Sequence, residues 1–490
     1  MRPIKTGPGL KIIGVAILVL LMGIPVSLIG FVTSDRNREA RNAIHSTADQ
    51  WGGASQVLQG PWLIVPHKVS HVKKITTRRA GCKGSDDECL EERNEIIKVT
   101  KHLVFAPQRL DGETKLASRE LKRGIHKVPV YDAETTITGT FAPLDARKAT
   151  ARETSEPQWD QAYLTLAVSD QRTFKDKATL TWDNTTVAFE PGVVPQSSEP
   201  VKRAGIHAPL TDLKQGAAPR FTIVLKQKGG LNFGLAPRGQ DIAWTMTSNW
   251  PDPSFGGRFL PATREVSKDG FSATWSLPNV ARAPQVTQNI KKLEGVFGEA
   301  RIYDNFITYP SYPAGGTHGV DIAVKLHQPI DNYSLINRAL KYALLFIGLV
   351  FLTLFLLEMA AGGKPIHPIQ YLFVGLANAV FYLLLLAFSE NIGFAPAYAV
   401  ASSATALLIG LYVWAVLSTL KRTMIVVAAL IVIYGLLWTI LNLEDFALMV
   451  GSIIVFAALA ISMYATRKVD WYGRSQSPKV DEAIPSPQSA

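Results

Sequence analysis

Three polar side chains lie in or beside long apolar runs of this sequence: Glu358, Asn378 and Glu390. A carboxylate at bilayer depth can carry a proton, and an amide can bind a partner at either end, but both are costly there. A proton or substrate path needs several such groups near the midplane. Glu358 and Glu390 instead fall near the ends of their apolar runs, and only Asn378 is well inside one. Carboxylates in interfacial water and an amide that serves packing are therefore the plainer reading.

The other chemistry-bearing types are scattered. His45, His67, His71, His102, His126, His207, His318, His327 and His367 show no H-E-x-x-H and no spacing that puts two on one helix face; they read as surface or turn residues. No G-x-S-x-G, Walker A or G-x-G-x-x-G occurs. Cys82 and Cys89 flank KGSDDE between two candidate strands. In an oxidising compartment they can close a hairpin tip as a disulfide, with a metal or redox pair as the rival reading. These patterns lead to no expected cofactor, metal or catalytic residue.

The elements that must hold these groups follow from charge and hydropathy. The 490 residues carry a formal charge of +11 with no basic tract interleaved with aromatics, so nucleic-acid binding finds no support. Charge is dense from 34 to 337 and nearly absent from 339 to 465. A helix of about 20 apolar residues crosses a bilayer, and six runs qualify, from IIGVAILVLLMGIPVSLIGFVT at 12–33 to FALMVGSIIVFAALAISMYA near the end. The first reads as an uncleaved anchor rather than a signal peptide, because its run is too long and VTSDRNREAR offers no cleavage site.

With the N-terminus inside, the inner segments hold Arg2, Lys5, Lys11, Lys364, Lys421, Arg422, Arg467 and Lys468, while the outer loops SENIGFAP and NLED hold no Lys or Arg. The expected order is a cytoplasmic start (1–11), an anchor (12–33), an exterior domain (34–337), a five-helix bundle (338–465) and a disordered cytoplasmic tail (466–490). In the exterior domain GFSATWSL places Phe271, Ala273, Trp275 and Leu277 on one face, and GVDIAVKL does the same with Val320, Ile322, Val324 and Leu326. AYLTLAVSD, RFTIVLKQ and DIAWTMTS keep that period of two, which marks half-buried strands. The fold class is thus α+β: a β-rich, sandwich-like domain with one helix near 35–50, hung between membrane helices.

Several long segments resemble one family. ADQWGGASQVLQGPWLIVP, RGIHKVPVYDAETTITGTF, SNWPDPSFGGRFLPATREVSKDGFSATW, HQPIDNYSLINRALKYALLFIGLVFLTLFLLE and IHPIQYLFVGLANAVFYLLLLAFSENIGFAPAY are similar, in that order, to the CreD family of bacterial inner-membrane proteins. The resemblance implies a periplasmic location for the exterior domain. It also implies a part in cell-envelope integrity and an envelope-stress response, with no activity assigned to residues. NWPDPSFGGRFLP is the first place to seek function. Its Trp250, Asp252, Phe255, Gly256, Gly257 and Phe259 form a candidate interaction loop, against the rival of a rigid turn with its aromatics in the core.

The functional reading is a non-enzymatic, multi-pass protein anchored in the lipid bilayer, whose exterior domain binds an envelope protein or cell-wall component. A transporter or lipid-handling protein acting through the bundle is the alternative. An enzyme of the outer surface would require a pocket of convergent groups. The partner and the oligomeric state stay open at this level.

Overall fold

The computed structural model describes residues 8–78, 90–150, 155–196, 201–281, 288–293, 296–297, 320–326, 332–361, 366–443 and 446–467. Cys82, Cys89, His318, His327, Lys364 and the tail beyond 467 lie outside the described residues. The chain divides into two compact units, Met1–Ala40 with Ile330–Ala490 and Arg41–Pro329.

The first unit is helical. Its members are α1 (Pro8–Leu21), the start of α2 (Gly23–Trp51), α4 (Asn332–Ala361), α5 (Pro368–Ile392), α6 (Phe394–Leu417), α7 (Leu420–Asn442) and α8 (Ala447–Thr466); α3 (Arg147–Thr150) is a single turn in the other unit. Six helical segments among the described residues are long and apolar enough to span a bilayer. The anchor and the separate helix expected near 35–50 turn out to be continuous, because α2 runs on to Trp51. The interruption comes earlier, at Met22. Pro25 has no N–H to give the carbonyl of Leu21, so the helical ladder breaks one residue later.

His367 caps α5. Its ring Nδ1 accepts from the Ile369 N–H at 3.3 Å, Gln370 Oε1 accepts from the His367 N–H at 2.9 Å, and Pro368 opens the helix. The HPIQ stretch is thus a helix start, where a proline costs no hydrogen bond. Gly375 of α5 lets the helices meet closely: a Cβ there would lie 2.6 Å from Met22 Sδ and 2.8 Å from Phe351. Phe351, Tyr371, Tyr382, Leu385, Leu437 and Ile440 are buried in the apolar cluster of this unit.

The second unit is built of strands: β1 (Ser55–Arg78), β2 (Leu90–Phe105), β3 (Arg109–Arg123), β4 (His126–Thr140), β5 (Ser155–Pro157), β6 (Ala162–Val168), β7 (Thr179–Trp182), β8 (Thr185–Ala188), β9 (Glu190–Pro191), β10 (Gly205–Leu210), β11 (Arg220–Gly230), β12 (Asn232–Pro237), β13 (Asp241–Ser248), β14 (Pro253–Gly256), β15 (Thr263–Ser267), β16 (Gly270–Leu277), β17 (Gln288–Ile290) and β18 (Ile322–Leu326). One sheet runs β14-β18-β12-β1-β6-β10-β9, with β2 and β5 on β1 and β17 on β2. The other runs β15-β16-β13-β3-β4-β11-β7-β8.

The two sheets share one core. Leu63, Leu164 and Ile322 from the first meet Leu110, Ile223, Trp244 and Trp275 from the second. Trp244 keeps its indole N–H satisfied by donating to Thr114 Oγ1 at 3.1 Å. Each fully buried Leu, Ile or Phe contributes roughly 1.5–3 kcal/mol. The period of two predicted for β16 holds, since Phe271, Ala273, Trp275 and Leu277 all enter this core.

Three expectations need correction. Val320 does not share the face of Ile322, Val324 and Leu326; it precedes β18 and packs with Val57, Ala236 and Ala323 instead. β6 is not half-buried, for every residue in it is buried. A second apolar cluster of Trp62, Ile64, Val104, Tyr163, Val193, Leu293 and Phe297 covers its other face. The polar Thr165 tolerates this because its hydroxyl donates to the Val193 carbonyl at 2.7 Å. Finally, His67, His102 and His207 are buried rather than surface residues. His67 is held at both nitrogens, with Ser155 Oγ 2.6 Å from Nδ1 and Asn289 Oδ1 3.0 Å from Nε2, so one imidazole ties β5 and β17 to β1. His207 Nδ1 donates to the Gly192 carbonyl at 2.8 Å.

Candidate interaction cleft and the polar groups of the bundle

The stretch from Trp250 to Phe259 is where the chain changes sheets. It leaves β13, crosses to form β14 at the end of the first sheet, and returns to form β15 at the end of the second. Asn249 fixes the departure: its Oδ1 accepts from the Ser118 N–H at 2.7 Å and its Nδ2 donates to the Ser118 carbonyl at 3.0 Å. Trp250 is buried against the core. Phe255 stands edge-on to Phe271, with centroids 5.4 Å apart, and to Trp275 at 6.0 Å. Phe259 packs on the same core and its carbonyl accepts from Trp275 Nε1 at 3.1 Å.

Gly257 makes the return possible. Its φ is +92°, and a Cβ there would lie 2.6 Å from the Asp321 carbonyl oxygen. The neighbouring Arg258 and Phe259 amides donate to the Val320 and Asp321 carbonyls at 3.0 and 2.9 Å, so the backbone approach is needed for closure. Gly257→Ala is expected to cost about 1–3 kcal/mol, read as a lower unfolding midpoint of the sandwich unit with the bundle unaffected.

Between these strands lies an open cleft of about 510 Å³, lined by Pro251, Asp252, Pro253, Ser254, Phe255, Arg264 and Val266. The candidate loop thus divides its side chains. Trp250 and Phe259 belong to the core, Asp252 lines the cleft, and Phe255 does both. Arg264 and Val266 were not singled out from the sequence. The signal available was the short polar strand TREVS beside a Lys-Asp-Gly turn, which reads simply as a hairpin arm.

The bundle's polar groups have partners in the other helices. Glu358 is buried, not in interfacial water as expected: Lys11 Nζ donates to its Oε1, the Tyr371 hydroxyl donates to its Oε2 at 3.1 Å, and the Ile366 N–H reaches Oε1 at 3.3 Å. A carboxylate survives burial when paired and hydrogen-bonded in this way. Asn378 donates to the Val374 carbonyl one turn back at 2.8 Å and accepts from the Tyr434 hydroxyl at 3.0 Å. The Tyr398 hydroxyl in turn donates to the Tyr434 carbonyl at 2.6 Å. Glu390 is half-buried and accepts from the Tyr333 hydroxyl at 3.0 Å. Each of the three residues is therefore met by a tyrosine from a different helix.

These bonds join α4, α5, α6 and α7 at several levels. Arg338 adds another by donating to the Leu441 carbonyl at the end of α7, at 3.1 Å. Asn378→Leu is expected to weaken the bundle by about 0.6–2 kcal/mol. The check is the SDS concentration at which the purified protein loses helix packing in mixed micelles. Among the described residues no group of three His, Cys, Asp or Glu could hold a metal ion.

The family model described as "Inner membrane protein CreD" matches residues 8–472. The inner membrane protein CreD of Escherichia coli (strain K12) is 31% identical over 463 residues, covering 93% of this chain and 92% of that one. The chain belongs to the CreD family. This CreD-family chain is accordingly a multi-pass protein of the bacterial inner membrane, with its β-rich domain in the periplasm. Solved structures resemble it only faintly. A putative nutrient binding protein from Legionella pneumophila shares 8% identity at a TM-score of 0.23, covering 38% of this chain and 68% of that one. An M1 zinc metallopeptidase from Deinococcus radiodurans shares 12% at a TM-score of 0.20, covering 79% and 97%. Likenesses of this size say nothing about its fold or site.

Proposed function

We propose that the periplasmic domain of this envelope protein binds a protein partner of the envelope in the cleft between β14 and β15, while the bundle anchors it in the bilayer. The observation that supports this most is the cleft's construction: two strands from different sheets end side by side, with Phe255 as an apolar floor rooted in the core. A floor that is part of the core is already ordered, so a partner loses little entropy by ordering it. Asp252 and Arg264 supply one charge of each sign at the lining.

The transport alternative has less support, because Glu358, Asn378 and Glu390 are engaged by Tyr371, Tyr434 and Tyr333 in bonds that fasten helices together. A photo-crosslinking amino acid at Val266 in intact cells should give one discrete adduct with an envelope protein. That adduct should be lost when Phe255 is changed to Ala and Asp252 to Arg. Absence of any adduct from cleft positions, or adducts that ignore both substitutions, would sink the reading.

A further inference from the structure

We propose that the partner presents an extended polypeptide segment that adds as a strand to the outer edge of β15, sending alternate side chains into the cleft. This rests on the reading of the cleft as the interaction site and names the kind of chain that fills it.

β15 terminates its sheet, and among the described residues it pairs only with β16, from Thr263↔Thr274 to Ser267↔Gly270. Its five residues are all exposed, and its outer row of amides and carbonyls pairs with no other strand among the described residues. Such a row is a template for another strand. The pleat gives β15 two faces. Arg264 and Val266 line the cleft, while Thr263, Glu265 and Ser267 have the opposite parity. A strand laid about 4.8 Å away continues the pleat, so every second side chain of the newcomer falls on the cleft side. There it meets Pro251, Pro253, Phe255 and Val266, which favour an apolar group. The oppositely charged Asp252 and Arg264 leave no net charge for it to match.

The other wall is a worse template. β14 begins at Pro253, which has no N–H to offer a ladder. Self-pairing is also disfavoured. An antiparallel partnership of two copies centred on β15 would set Glu265 opposite its own copy, and like charges directly opposed are destabilising. The edge is thus open to a foreign strand and guarded against its own.

The test uses the full-length protein in its native membrane, with a photo-crosslinking residue placed in turn at Thr263, Glu265 and Ser267. All three are exposed and face away from the cleft. Because the Ser267 hydroxyl also holds the Asp269 N–H and the Gly270 carbonyl of the following turn, each variant must keep the parent's tryptic pattern of the domain. Mass spectrometry of each adduct identifies the partner residue hit. The expected result is three sites on one segment of one protein, advancing by about two residues for each two-residue step along β15. If these positions give no adduct, or hit non-contiguous parts of the partner, while the Val266 adduct persists, strand addition is overturned and the cleft reading stands. Adducts to a second copy of this chain overturn the choice of partner. Lipid or wall-glycan adducts, or no adduct from any position including Val266, overturn both.

Discussion

Glu358→Leu is expected to destabilise the membrane bundle by about 3–5 kcal/mol, the range found when one member of a buried ion pair is removed. The size follows from what remains. Lys11 loses the carboxylate that its ammonium reaches, and the Tyr371 hydroxyl and Ile366 N–H lose their acceptor in the same step. The Glu358 side chain is only 5% exposed and that of Lys11 17%, so water replaces little of the lost interaction. Lys11→Met with Glu358→Leu should recover much of the loss, because no charge is then stranded. The double variant should stay below the parent by the two hydrogen bonds still unmade, those of the Tyr371 hydroxyl and the Ile366 N–H, each worth about 0.5–1.5 kcal/mol net. The measurement is the SDS unfolding midpoint of all four proteins, which forms a double-mutant cycle. A double variant as damaged as Glu358→Leu alone would show that the pair is not the source.

The second large effect is expected at Trp275→Ala. Trp275 has no exposed surface, sits edge-on to Phe255 and donates its indole N–H to the Phe259 carbonyl. Deleting the ring leaves a cavity and orphans that carbonyl, for about 3–5 kcal/mol in all. Trp275→Phe should retain most of the packing and lose mainly the hydrogen bond, about 0.5–1.5 kcal/mol. Thermal melting of the periplasmic domain separates the two. The same pair probes the cleft, since the floor residue Phe255 leans on Trp275. The Ala variant should loosen crosslinking from Val266, and the Phe variant should preserve it.

What could be read in advance depended on the range of the interaction. Hydropathy and the charge of short loops are local, and they located the six spans and the side on which the large domain lies. Alternation is also local, and it predicted β16 down to which residues face the core and β13 as a half-buried strand. Pairings between distant residues left no such trace. Nothing near Lys11 or Glu358 announces that they meet, for they are 347 positions apart. Likewise the burial of both faces of β6 depends on Val193, Leu293 and Phe297, which come from segments with no visible relation to AYLTLAV. The cleft is a third case. Asp252 and Phe255 stood out as part of an aromatic loop, whereas Arg264 and Val266 become relevant only because the ends of two sheets fall side by side. The tyrosines Tyr333, Tyr371 and Tyr434 were the missed signal in the bundle. A phenol buried in an apolar helix needs an acceptor, and each has found one of the three polar residues already singled out.

The Lys11–Glu358 contact also sets a timetable for biosynthesis. A ribosome adding 5–20 residues per second takes roughly 20–70 s to travel from one partner to the other. Throughout that interval the first helix must rest in the insertion machinery or the lipid with its ammonium reaching for the headgroups, a posture that long lysine side chains permit. Its counter-ion then arrives with the second span, so the earliest part of the polypeptide to enter the bilayer is fastened only once most of the rest has been made.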